Sequence, residues 1–243
     1  MDSPYISIVI VGRNDNYGVN FLERLKSFIN GLDVQVTDRN LIELVIVEWN
    51  PPEDAKSLID SIDRPENYVV RVITVPSEVH ARHGYRGNLA EYHAKNVGVA
   101  RARGKFVLVT NPDIVFSRSL IDLLAKKNLD EKVFYRADRY DFIGDGMSLV
   151  HPKDYEQFAA RHSFQGHMSD NSAKLVRSVD GQKMFPISDP MNVHTNASGD
   201  FILASKDAFF KIGGMFFHRE FRSHCDSITI YRLLNGGFGQ SLI

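Results

Sequence analysis

Ile6-Ser7-Ile8-Val9-Ile10-Val11 decides the fold, together with the polar break Gly12-Arg13-Asn14-Asp15-Asn16 that follows it. Every residue of the run except Ser7 is β-branched. Such side chains favour extended backbone and pack well on a pleated surface. A run without polar alternation suits a strand covered on both faces, as in a parallel sheet. Downstream, Phe21, Leu22, Leu25, Phe28 and Ile29 recur at helical spacing, with Gly31 as the expected stop. Leu41 to Val47 reads as a second buried strand, closed by Glu48-Trp49-Asn50-Pro51-Pro52, because proline cannot donate to a ladder. Ala55, Leu58, Ile59 and Ile62 predict a short amphipathic helix, and Tyr68 to Val75 a third strand. Asn88 with Glu91 three residues on has the form of a capping box. The helix it opens carries Leu89, Tyr92, Val97 and Ala100 on one face and stops at Gly104. Lys105 to Thr110 is a fourth strand, ended by Asn111-Pro112-Asp113.

Strands alternating with helices over the first 115 or so residues predict an α/β fold. Right-handed crossovers then give a mostly parallel central sheet flanked by helices. Ligands of such sheets bind beyond the carboxyl ends of the strands. The polar tips collect there: Arg13 to Asn16, Glu48 to Asn50 and Asn111 to Asp113. The second half is less regular. Val133 to Tyr135 and Phe201 to Ala204 read as strands, Lys206 to Ile212 and Ser227 to Leu234 as helices, and Phe238 to Ile243 as strand-like. Residues 144–196 are rich in His, Gly, Ser, Asp and Lys, with little periodicity, which predicts a lid or acceptor loop. The chain reads as one domain, 1–243, with a ligand-binding half at 1–115 and an irregular catalytic half at 116–243.

Composition narrows the class. The 243-residue chain is 43% hydrophobic and 24% charged, with a formal net charge of -1. Those values suit a globular protein and give no electrostatic footprint for nucleic acid. The single cysteine, Cys225, permits neither an internal disulfide nor a cysteine-based zinc site. The apolar run at the start is too short to span a bilayer, so a cytoplasmic protein is expected, with peripheral membrane contact open.

Four places carry candidate chemistry. Asn111-Pro112-Asp113 can hold a hard divalent ion that bridges to a diphosphate, and it also reads as a plain turn. Asp15 and Glu48 can accept hydrogen bonds from a nucleoside, or be solvated loop acids. In His224-Cys225-Asp226, Asp226 can serve as a general base or as a helix cap. Gly199-Asp200 can meet acceptor hydroxyls or be a loop acid. No glycine-rich turn follows the first strand, which argues against a dinucleotide-binding dehydrogenase.

The order of these motifs is more specific than any one of them. Ile6-Ser7-Ile8-Val9-Ile10 opens the chain, and Leu44-Val45-Ile46-Val47-Glu48 follows. Ala94-Lys95-Asn96-Val97-Gly98 then leads through Gly104-Lys105-Phe106-Val107 into Asn111-Pro112-Asp113. Ile212-Gly213-Gly214-Met215, Cys225-Asp226 and Arg232 come later. This succession resembles GT-A-fold glycosyltransferases of the family 2 type. The resemblance implies an inverting hexosyl or N-acetylhexosaminyl transfer from a nucleoside diphosphate sugar, with UDP the expected nucleotide. The acceptor would be a glycan or another hydroxyl compound. It implies Mn²⁺ or Mg²⁺ at Asp113, with His224 or His218 as a further ligand. Asp226 would be the catalytic base. Arg13, Asp15, Glu48, Asn96, Asn111 and Asp113 would form the donor-binding set, and Gly199, Asp200 and Arg232 the acceptor set. Asn111 stands where the family's metal motif has its first acid, and Cys225 where its Glu-Asp pair has glutamate. Those substitutions also fit a non-catalytic sugar- or nucleotide-binding module on the same fold.

Overall fold

The computed structural model describes residues 3–85, 87–142, 157, 163–167, 173–175, 193–219 and 223–243. The first strand, β1 (Ile6–Gly12), is buried along its whole length, as is β2 (Ile42–Trp49). Between them runs α1 (Phe21–Asp33), which passes through Gly31 rather than stopping there, because Gly31 is itself buried in the helix. α2 (Leu58–Ser61), β3 (Val69–Val75) and α3 (Ser77–His83) follow. α4 (Glu91–Arg101) begins later than Asn88 predicts: Ala90 is its cap, and Asn88 instead accepts from the Asn50 amide through its carbonyl. β4 (Phe106–Val109) and α5 (Arg118–Ala125) complete the first half.

β1 pairs in parallel with both β2 and β4, and β2 with β3. Side chains alternate across β1, so Ile6, Ile8 and Ile10 pack with Phe28, Ile29 and Leu32 of α1, while Val9 turns to the other face with Val99 of α4. The smaller valine matters there. A Cβ on Gly98 would lie 2.3 Å from a Val9 methyl, so glycine lets α4 sit close on the sheet. Gly104 does not end α4, which stops at Arg101. It passes against the β1 backbone, where a Cβ would come within 2.5 Å of Ser7 N.

The second half adds β5 (Val133–Arg136), β6 (Arg139–Phe142), β7 (Ser163–His167), β8 (Ala173–Leu175), β9 (Ile202–Ser205), α6 (Lys206–Lys211), α7 (Cys225–Asn235) and β10 (Gly239–Leu242). The main sheet has seven strands in the order β10-β5-β9-β4-β1-β2-β3. β9 runs antiparallel between β4 and β5, so strands from both halves share one sheet. β6, β7 and β8 form a separate three-stranded antiparallel sheet, and β7 and β8 lie inside the segment expected to be irregular. The remainder of 144–192, apart from residue 157, lies outside the described residues. Among the described residues, no helix is long and apolar enough to cross a membrane.

The reversed direction of β9 has a functional result. Its amino end, preceded by the short 3-10 turn Ser198–Asp200, lies at the edge where β1, β2, β3 and β4 present their carboxyl ends. Asp200, 89 positions after Asn111, thereby reaches the end of β4.

Candidate functional site

Lys95 lies at the centre of this edge. It sits in the second turn of α4 with its side chain 1% exposed. Its ammonium donates to Glu91 Oε1 at 2.7 Å, Asn111 Oδ1 at 3.0 Å and the Gly199 carbonyl at 3.3 Å. A buried ammonium persists only when its protons are met in this way. Asn111 then donates from Nδ2 to Asp200 Oδ1 at 2.5 Å, and the other oxygen of Asp200 pairs with Arg139. Thr110 anchors the same turn by donating to the Asp200 carbonyl at 2.5 Å. Arg136, wholly buried at the end of β5, donates to the carbonyls of His194, Asn196 and Ser198 and holds that strap in place. Burial lowers its pKa to about 10, against the raising fields of Asp200 and Asp226.

Asp226 occupies the first turn of α7, where its Oδ1 accepts from the Ser227 amide at 2.9 Å. Its other oxygen faces Gly199, whose missing Cβ would lie 3.1 Å from it. Among the described residues, Asp226 forms no ion pair. Tyr92 flanks it, its hydroxyl pKa pushed up by burial first and then by the charges of Asp226 and Glu91.

At the β1 tip, Arg13 donates to the Asn50 carbonyl at 2.6 Å and pairs with Asp15, so both lie beside the end of β2. Asp113 is 40% exposed and pairs with Arg24 of α1 at 2.5 Å. The structure therefore gathers Asn111, Gly199, Asp200 and Asp226 into one contact chain, with Asp113 next along the turn that carries Asn111.

Four expected site residues have other positions. Glu48 is fully buried, accepting from the Leu58 amide at 2.8 Å and the Thr74 hydroxyl at 3.2 Å, so it is not presented to a nucleoside. Asn96 clamps the Met215 backbone, donating to its carbonyl at 2.9 Å and accepting from its amide at 2.7 Å. Arg232 donates to the Ile212 carbonyl, fastening the turn after α6 rather than an acceptor. His224 is exposed in a left-handed conformation at the start of α7. Among the described residues, no group of three or more His, Cys, Asp or Glu side chains is placed to hold a metal, so His224 and Asp113 do not make a protein-built shell. Mg²⁺ and Mn²⁺ do not need one. They keep waters and bind through one or two carboxylates plus substrate phosphates, and the exposed carboxylate of Asp113 fits that mode.

Lys95, Tyr92, Arg24, Arg136 and Arg139 are the participants that sequence reasoning missed. Glu91 and Lys95 are spaced i,i+4, which ordinarily marks a solvated pair. Only the apolar residues around Lys95 hint at its burial.

No protein-family model matches the chain, and no curated protein sequence matches it. Solved structures do. Residues 1–349 of S. aureus TarS superpose with a TM-score of 0.56 at 13% identity, covering 98% of this chain and 57% of that one. The same fragment in complex with UDP-GlcNAc gives 0.54 at 13% identity, covering 98% and 55%. Its complex with UDP gives 0.53 at 14%, covering 98% and 57%. The chain thus spans a little over half the length of these structures. At such identity the likeness is one of fold alone, a GT-A-like arrangement of a seven-stranded, mostly parallel sheet flanked by helices.

Proposed function

We propose that this chain is a glycosyltransferase that moves a sugar from a UDP-linked donor to an acceptor hydroxyl with inversion, using Asp226 as general base. The observation that carries this reading is the convergence of Asp226, Gly199, Asp200 and Asn111 through buried Lys95 at the edge where parallel sheets bind ligands. Support also comes from structures of the same fold that hold UDP-GlcNAc and UDP.

In this reading Asp226 accepts the proton of the acceptor hydroxyl. That oxygen bonds to the anomeric carbon as the bond from the same carbon to the diphosphate oxygen breaks. Asp113 would hold Mg²⁺ or Mn²⁺, which would supply positive charge to offset the negative charge developing on the leaving group. Asp200, fixed by Arg139 and Asn111, orients acceptor hydroxyls, and Arg13 with Asp15 borders the nucleoside. Gly199 keeps the approach to Asp226 open. Its backbone does not need left-handed torsions, so Gly199→Ala should fold normally while crowding the carboxylate. The variant is expected to lose about tenfold in kcat with a near-unchanged melting temperature, since small misplacements at a reacting centre are expensive. Unchanged kcat would remove Gly199 from the site.

The test of the activity is UDP release from a panel of UDP-sugars, with and without candidate acceptors. Release that Asp226→Asn abolishes supports the transferase. Nucleotide binding without release across the panel would favour a non-catalytic binding module, a reading to which the engaged amide of Asn111 lends weight.

A further inference from the structure

The loop joining β1 to α1 carries four residues in left-handed conformations: Asn16 (φ 57), Gly18 (φ 67), Val19 (φ 63) and Asn20 (φ 56). Glycine and asparagine tolerate this region, but a β-branched valine there is strained. Val19 is also 68% exposed and Tyr17 71% exposed, so burial of their side chains does not hold the loop. Inside the loop Val19 N donates to the Asn16 carbonyl at 3.1 Å and Tyr17 N to Asp15 Oδ1 at 3.3 Å, and the side chain that ties it to the end of β4 is that of Arg24. Its guanidinium donates to the Tyr17 carbonyl at 2.6 Å and the Val19 carbonyl at 3.2 Å, and its remaining nitrogen pairs with Asp113 at 2.5 Å. One planar fork thus joins the strained loop to the carboxylate at the end of β4.

We propose that Arg24 is a positioning residue that couples cation occupancy of Asp113 to the conformation of the Asn16–Asn20 loop. This rests on the reading of Asp113 as the metal-binding carboxylate. A divalent ion arriving at Asp113 competes with the guanidinium for the negative charge of one carboxylate, whose Oδ2 the guanidinium holds. A displaced guanidinium also gives up its two loop carbonyls, because the fork is rigid and its donors move together. The strain at Val19 favours release. The loop is therefore held in one shape while Arg24 neutralises Asp113, and is freed to rearrange at the β1 tip, beside Arg13 and Asp15, once the ion takes over.

The test uses Mn²⁺ in the presence of saturating UDP, against UDP alone and a protein-free Mn²⁺–UDP control, on the wild type, Arg24→Gln and Asp113→Asn. Mn²⁺ binding is followed by the electron paramagnetic resonance of the free ion, and loop opening by amide hydrogen exchange over residues 15–24. Removing an exposed competing cation should tighten Mn²⁺ binding about fivefold in Arg24→Gln, and Asp113→Asn should lose it. Exchange in the loop should be fast in Arg24→Gln with or without Mn²⁺. In the wild type it should rise toward that rate as Mn²⁺ saturates. A purely structural Arg24 would speed exchange when replaced but leave Mn²⁺ affinity unmoved. Equal Mn²⁺ affinity in wild type and Arg24→Gln, with loss in Asp113→Asn, would overturn this coupling and leave the metal reading of Asp113 in place. No Mn²⁺ binding in any variant would remove both.

Discussion

Asp226→Asn is expected to lower kcat by about 10²–10⁴-fold, the range a positioned general base contributes, while leaving donor affinity within about twofold. The substitution is close to isosteric, and the asparagine oxygen can still accept from the Ser227 amide, so this bond in the first turn of α7 is kept. The change removes only the ability to take a proton. Asp226 suits that task because, among the described residues, no cation pairs with it, whereas Asp113 is paired with Arg24 and Asp200 with Arg139. Steady-state kinetics on whichever UDP-sugar shows turnover decides the matter. A variant retaining more than about a tenth of wild-type kcat would move the base elsewhere, since that loss is smaller than general-base removal produces.

The second large effect is expected at Lys95. Lys95→Met keeps the length and apolar stem but leaves Asn111 Oδ1 and the Gly199 carbonyl without their donor. An orphaned buried acceptor costs about 1–3 kcal/mol, and these two, being partly buried, fall at the lower end. Removing the buried ammonium returns part of this, because its desolvation cost disappears as well. The pair with Glu91 adds little, since Glu91 is 41% exposed. The balance favours a loss of about 1–2 kcal/mol, visible as a lower melting temperature and as weaker donor binding, because the Asn111-Asp200 contact loses its support. A melt unchanged or raised would mean that the ammonium's desolvation outweighs its three bonds, and that its place in the site is not structural.

The sheet was legible because burial on both faces leaves a strong local trace. The β-branched runs of β1 and β2 announce parallel strands whatever surrounds them. α3 left no such trace, since none of its residues is buried. α5 had one that was overlooked: Ser117 caps Leu120 through its hydroxyl, with Ile121 and Leu124 at helical spacing behind it. Asn96 and Arg232 were misassigned for a different reason. Their partners, Met215 and Ile212, lie 119 and 20 positions away, and nothing local distinguishes a polar side chain that clamps a distant turn from one that faces a ligand. Asp226, Asp200 and Asn111 could be named from the order of motifs. Their meeting could not, because it depends on β9 entering the sheet antiparallel. Lys95 was hidden by its spacing from Glu91, which is that of an ordinary surface pair.

The most direct test of the account is the thermal stability of the protein with UDP, in the presence and absence of Mn²⁺, for the wild type and Asp113→Ala. A ligand at a hundred times its dissociation constant adds about 2.7 kcal/mol. The account predicts a shift of that order for wild type with UDP and Mn²⁺ together, little with UDP alone, and none in Asp113→Ala. No shift in the wild type under any combination, or an equal shift in Asp113→Ala, would contradict a donor diphosphate held at the end of β4.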